Sequence, residues 1–301
     1  MTAWIGDGTL AHLRDVAEWP DVGDRYEVTG RLGRGGMGVV YAAHDRTLDR
    51  EVAIKVLDAV DGSGDAARRL QHEARILARL EHPGIVPVHD AGTLPDGRVF
   101  YVMKLVRGAR LDQVLRGEAP LVERLDLFTR IGEAVSFAHA QGVVHRDLTP
   151  ANVMLGRFGE VLVLDWGVAR VLDDPSGREG VVGTPGFMPP EQESGSSETA
   201  DRRADVYALG ALLQAMVPPP VPRALAAIAR KAQAAAVDER YQSVEALVQD
   251  IARYRRTEPV EAYRESWLER AARVYQRYRV PILLVLAYML MRVVLIVWLG
   301  R

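Results

Sequence analysis

The sequence predicts an α+β chain built as two lobes, a small β-rich lobe followed by a larger helical one, with an apolar helix at its end. Three observations predict it. Short β-branched and aromatic runs bounded by turns crowd residues 25–108. Apolar residues at helical spacing dominate residues 109–256. A cluster of arginines and then a nearly unbroken apolar run follow. The 301 residues suffice for two sizeable cores. A composition 48% hydrophobic and 26% charged is that of a globular protein.

Residues 1–24 form an acidic extension in which Leu10, Leu13, Val16 and Ala17 mark one short helix. No basic stretch leads into an apolar one there, so no signal peptide is expected. Strands are expected near 26–29, 39–43, 51–57 and 98–103. One helix interrupts them near 65–80, where Leu70, Ala74, Leu77 and Leu80 recur at helical spacing. In the second lobe Leu125, Phe128, Ile131, Val135 and Ala138 form one periodic face. The cleft between two such lobes is the natural place for a ligand.

Composition excludes several chemistries. A net charge of −2 gives no footing for nucleic-acid binding over the whole chain. With no cysteine there is no disulfide framework, thiolate metal site or cysteine nucleophile.

What remains is carried by motifs. Gly33, Gly35 and Gly38 fit a GxGxxG pattern, which lets backbone approach phosphates. A dinucleotide fold would enter a helix next. Here Val39, Val40 and Tyr41 continue as a strand, so the glycines read as the bend of a hairpin folded over a nucleotide. Lys55 lies inside the apolar strand 52–57, where a lysine either snorkels to water or meets an anion. Glu73, beside the apolar side of the following helix, is a candidate partner. Phosphoryl transfer to a hydroxyl needs a carboxylate to orient the nucleophile and oxygen ligands for magnesium. Asp147 suits the first role, Asn152 and Asp165 the second. Asp165 is delivered by a hairpin of strands near 153–155 and 161–164 that turns at 156–159.

These motifs, in this order, resemble the bacterial eukaryotic-like (Hanks-type) serine/threonine protein kinases over about residues 25–255. The resemblance rests on the Gly-rich loop at 33–40, the VAIK at 52–55, Glu73, the HRDLxxxN at 145–152 and a DFG-like triplet at 165–167. It also rests on 183–191 as the end of an activation segment, on the helix at 205–210 that anchors the catalytic loop, and on Arg240 as ion-pair partner of Glu191. It implies a bilobal protein-kinase fold, with lobes at 25–108 and 109–256, acting with ATP and magnesium on a protein substrate. Lys55 would contact the α- and β-phosphates and Glu73 would hold it. Leu32, Gly33, Gly35 and Gly38 would cover the nucleotide. Met103 would back the adenine pocket, Lys104 to Val106 would form the hinge, and Val40, Ala53 and Met154 would sandwich the ring. Asp147 would be the catalytic base, with Asn152 and Asp165 as magnesium ligands.

The sequence departs from the family pattern at five places. Thr149 replaces a lysine that neutralises the transferred phosphoryl group, a loss on the order of 2–4 kcal/mol if nothing compensates. Ala151 removes an acid that holds substrate arginines in basophilic relatives. Trp166 replaces the usual phenylalanine and should pack beneath the helix bearing Glu73. The activation segment is short, with Ser176 its one hydroxyl before Thr184, so activation should not need the usual phosphothreonine. Thr184 itself is expected to contact the catalytic loop. The proline-rich stretch at 215–225 is also short, where relatives usually carry a longer loop and another helix, often used for substrate docking.

Beyond the lobes, residues 257–279 read as a basic juxtamembrane helix and 280–299 as a transmembrane helix, with Arg292 the one charge inside it. The arginine excess predicts a cytoplasmic kinase domain at a cell membrane and attraction to anionic lipid. Little sequence follows the run, so no extracellular sensor is expected. Two rivals stay open: a pseudokinase-like nucleotide-binding scaffold, which Thr149 favours, and a small-molecule kinase of the same fold. Self-association through the tail also stays open.

Overall fold

The computed structural model describes residues 19–35, 38–56, 76–166, 170–171, 184–193 and 201–299. The first lobe is a five-stranded antiparallel sheet of β1 (Tyr26–Gly35), β2 (Gly38–Asp45), β3 (Arg50–Val56), β4 (Val88–Thr93) and β5 (Val99–Lys104), in the order β1-β2-β3-β5-β4. β4 was not among the expected strands. It is an edge strand carrying His89, Asp90 and Gly92, and its polar composition hides it.

Register sorts the sheet into two faces. Val40 pairs with Lys55 and Ala42 with Ala53; Ala53 in turn faces Met103, and Lys55 faces Tyr101. Side chains alternate along a strand, so Val40, Ala53, Lys55 and Met103 share one face. Tyr101 and Met103 on that face join the core of the helical lobe. The opposite face, with Tyr41, Val52, Ile54, Val56 and Val102, closes a separate small core on which Trp19 and Val22 pack.

The second lobe contains α1 (Leu111–Val114), α2 (Leu121–Ala140), α3 (Pro190–Glu193), α4 (Arg203–Met216), α5 (Arg223–Ala232) and α6 (Val244–Arg255). The periodic face of α2 is buried as its spacing predicts: Leu125, Phe128, Ile131, Val135 and Ala138 are all at most 2% exposed. Short strands β6 (Gly108–Arg110), β8 (Val153–Gly156) and β9 (Val161–Val163) form a sheet in the order β6-β8-β9 below the first lobe. A Cβ at Gly108 would lie 1.8 Å from the Leu155 carbonyl oxygen, so glycine alone lets the two backbones approach there. β7 (Val143–Val144) pairs with β10 (Arg170–Val171). α4 and α5 are joined directly through 217–222, without an intervening helix.

The C-terminal segment differs from its expected form. Residues 257–266 are not helical; they fold back onto the helical lobe. The buried Asp250 carboxylate accepts the N–H groups of Glu261 (2.7 Å) and Ala262 (3.0 Å) and the Tyr241 hydroxyl (2.7 Å), and Val260 is buried beside them. Ser266 and Glu269 then start α7 (Trp267–Leu299) as a capping box: the Glu269 N–H donates to Ser266 Oγ (3.3 Å), and the Ser266 N–H donates to Glu269 Oε2 (2.9 Å). The division expected between 257–279 and 280–299 has its counterpart in a kink that parts α7 into two helices near Tyr278. Pro281 removes a donor and crowds the preceding turn, and Tyr278 leaves helical geometry at φ −111°, ψ 17°. Among the described residues no helix is long and apolar enough to cross a membrane.

Candidate active site

The site lies between the lobes, where the Lys55 face of the sheet meets the loop after β7. Lys55, only 9% exposed at its side chain, donates from Nζ to Asp165 Oδ1 at 3.0 Å. Its ammonium also lies 5.8 Å from the Tyr101 ring centre. Asp165 follows β9 in a left-handed conformation, φ 57°, and its carboxylate is about half exposed. The chain position after it is filled by Trp166, which is fully buried and tilts against the His145 ring at 4.6 Å. Trp166 shares its core with Ile76, Leu77 and Leu80, the described end of the helix expected at 65–80.

Asp147 is held from two sides. The Thr184 hydroxyl donates to its Oδ1 at 2.8 Å, and Asn152 Nδ2 donates to its Oδ2 at 3.1 Å and to its backbone carbonyl at 2.8 Å. Thr149, two residues after Asp147, is 4% exposed.

The loop carrying Asp147 is built on Asp205, at the start of α4. Its carboxylate is fully buried and accepts three hydrogen bonds: from the backbone N–H of His145 and of Arg146, each at 2.8 Å, and from His139 Nε2 at 2.7 Å. His145 Nε2 in turn lies 3.0 Å from the Leu164 carbonyl, tying this loop to the strand that delivers Asp165. Burial pushes Asp205 up, but the His139 hydrogen bond, the nearby histidine charges and the backbone donor outweigh it, and the carboxyl sits below its usual range. A folded-state value below the unfolded one adds stability that is complete at neutral pH and lost as pH falls through the folded value. The melting temperature should therefore drop on acidification below about pH 4, and Asp205→Asn should flatten that limb while lowering the neutral-pH plateau. An unchanged acid limb in the variant would assign it to other carboxylates.

On the far side of Asp147, residues 184–191 form a ledge ending in α3. Met188 is buried, and Glu191 makes a two-pronged ion pair with Arg240 (2.7 and 2.8 Å).

Most of the sequence-derived site residues come together in this cleft. Val40 and Ala53 lie beside Lys55 on the sheet face, with Val40 half-buried and Ala53 buried. Met103, Lys104 and Val106, all half-buried, lead from β5 to β6, and Met154 sits on β8 opposite Arg110. Lys104 Nζ reaches Glu160 at 3.4 Å. Leu32 is exposed, and Gly33 and Gly35 close the β1–β2 hairpin against Val40 and Gly38. Glu73, Gly167 and Ser176 lie outside the described residues. His139 and Gln192 were not singled out by sequence. A histidine at the core spacing of α2 was the available sign of the first; the second had none.

The donor set fits a magnesium–nucleotide complex. Asn152 and Asp165 offer oxygen ligands, which suit a hard cation, and Lys55 is a cation facing the same space. Among the described residues no three His, Cys, Asp or Glu side chains gather as a metal cluster. Two protein ligands are what magnesium takes when phosphates and water complete its shell.

Comparison with known proteins agrees with this geometry. The family description "Protein kinase domain" matches residues 26–265. The DNA damage-responsive serine/threonine-protein kinase RqkA of Deinococcus radiodurans is 42% identical over 196 residues, 63% of this chain and 29% of RqkA. Serine/threonine-protein kinase PknB of Mycobacterium tuberculosis is 35% identical over 284 residues, 79% of this chain and 44% of PknB. The chain thus spans less than half the length of these relatives. The crystal structure of the Mycobacterium tuberculosis PknI kinase domain superposes with a TM-score of 0.59 at 29% identity, covering 76% of this chain and 96% of that one. The two-lobed fold agrees with these likenesses, and the chain belongs to the protein kinase family, among the bacterial serine/threonine-protein kinases.

Proposed function

We propose that this chain transfers the γ-phosphate of ATP to serine or threonine hydroxyls of protein substrates. The observation that carries the reading is the Asp147 carboxylate, fixed between Thr184 and Asn152, in the same cleft as the Lys55–Asp165 pair. Bound ATP with magnesium supplies the phosphoryl group and the charge that neutralises it. Lys55 binds the anion from the sheet side, and Glu73 would hold Lys55 in place. Asn152 and Asp165 would hold the metal. Asp147 orients the substrate hydroxyl and accepts its proton as the oxygen attacks. Leu32, Gly33, Gly35 and Gly38 cover the nucleotide, and Val40, Ala53, Met103, Met154 and the Lys104–Val106 stretch enclose the base. A protein substrate is favoured by the ledge at 184–191, which the Glu191–Arg240 pair holds beside Asp147.

The test is phosphate transfer from labelled ATP to a generic protein substrate, with and without magnesium, followed by phosphoamino-acid analysis. Phosphoserine or phosphothreonine that depends on magnesium supports the reading. Phosphotyrosine alone would redirect the specificity. ATP binding without transfer, at this Thr149-bearing site, would favour the nucleotide-binding scaffold.

We also propose that α7 attaches the kinase domain to a membrane, with the domain on the cytoplasmic side. Support comes from the nearly continuous apolar sequence 281–299, from the exposure of Leu283, Leu284, Val285 and Leu286, four consecutive positions that face all round the helix, and from the arginines that precede it. Full-length chain should float with vesicles containing anionic lipid and stay with them in high salt and at alkaline pH. Release by salt would mean surface attachment, and failure to float would overturn the proposal.

A further inference from the structure

We propose that Gln192 is a positioning residue for Asp147, acting through the carbonyl of Arg146. The inference rests on reading Asp147 as the proton acceptor. Gln192, on α3, is fully buried, and its Nε2 donates to the Arg146 carbonyl oxygen at 3.1 Å. Arg146 sits at φ 70°, a left-handed conformation that is unfavourable for any residue with a Cβ. Such a conformation persists only where its surroundings hold it. Arg146 is held at both ends: Asp205 Oδ1 takes its N–H at 2.8 Å, and Gln192 takes its carbonyl.

That carbonyl belongs to the rigid peptide plane leading into Asp147. Its orientation sets the direction in which the Asp147 side chain leaves the backbone. The segment 184–193 therefore reaches Asp147 twice. Thr184 touches the carboxylate itself, and Gln192 fixes the peptide before it. The same segment is clamped to the helical lobe by Glu191 and Arg240. Gln192 thereby couples the place of the peptide ledge to the aim of the base.

The experiment compares full-length wild type with Gln192→Met, which keeps the length without a donor. The second variant is Gln192→Asn, whose amide is drawn back by one methylene. Turnover is expressed per folded active site, titrated with a tight nucleotide analogue. A misplacement on the order of 1 Å lowers kcat by about 10- to 100-fold. The expected result is that loss in both variants, with KM for ATP within about threefold of wild type, because Lys55, Asn152 and Asp165 are untouched. A residue that only supports the fold would lower the titrated fraction and leave turnover per site unchanged; that result overturns the proposal. So would loss of the cooperative melt in both variants. A wild-type chain that binds ATP and transfers nothing defeats the kinase reading instead, and does so before any variant is compared.

Discussion

Asp147→Asn is expected to lower kcat by about 10²- to 10⁴-fold while leaving ATP affinity and melting temperature close to wild type. An amide of the same shape keeps an oxygen to accept from Thr184, and the Asn152 bond to the backbone carbonyl stays, so only the Asn152 bond to Oδ2 is lost. What it loses is the ability to take a proton. The nucleotide contacts proposed above belong to other residues, the paired Lys55 on β3 and Asp165 after β9, so binding should survive. Steady-state phosphorylation and calorimetric ATP titration on the same sample separate the two effects. A variant that keeps more than about a tenth of the wild-type kcat would remove Asp147 from the proton-accepting role. A collapse of ATP affinity in parallel would mean that the carboxylate organises the cleft rather than the chemistry.

Sequence made the sheet face legible because its information is local. Short β-branched and aromatic runs marked the strands, the family resemblance named Val40 and Ala53, and the pairing found in the structure puts both on the face of Lys55. The motif at 145–152 was legible for the same reason: Asp147 and Asn152 are five residues apart, and their contact is set within one turn. Contacts across long separations were legible only where the family resemblance named the partner. Glu191 with Arg240 was such a case. The bond from Gln192 to Arg146 was not, because a buried glutamine in a short helix carries no mark of which carbonyl it will meet. β4 escaped because an edge strand needs little apolar alternation. The tail differs from its expected form at its start, while the expected division at 279/280 lies next to the kink at Tyr278. Charge and hydropathy divide 257–279 from 280–299, but helix starts are decided by caps, and the Ser266–Glu269 box places the start at Trp267.

Arg240→Leu is expected to destabilise the folded chain by about 3–5 kcal/mol. That is a large share of the roughly 5–15 kcal/mol that keeps a domain folded. The Arg240 side chain is fully buried and all three of its nitrogens are engaged. Nη1 and Nη2 donate to the two Glu191 oxygens at 2.7 and 2.8 Å, and Nε donates to the Ala234 carbonyl at 2.8 Å. Further contacts go to the carbonyls of Arg203 (3.2 Å) and Ala235 (3.3 Å), and the guanidinium stacks 5.0 Å from the Tyr207 ring centre. Leucine fills part of the volume but leaves a carboxylate and several carbonyls without their donor. Removing both charges costs less, because no carboxylate is then stranded. The double variant Arg240→Leu/Glu191→Leu should therefore be more stable than Arg240→Leu alone. The surface pair Arg46–Glu27, more than half exposed on both sides, is the control: Arg46→Leu should cost at most about 1 kcal/mol. Urea unfolding of the four proteins measures all of this. A loss below about 1 kcal/mol for Arg240→Leu would show that water reaches Glu191 once the arginine is gone. The functional consequence follows from the same bonds. With Glu191 released, the ledge at 184–191 loses its anchor, so KM for the protein substrate should rise more than KM for ATP, whose proposed contacts lie on the sheet and on the loop carrying Asp147.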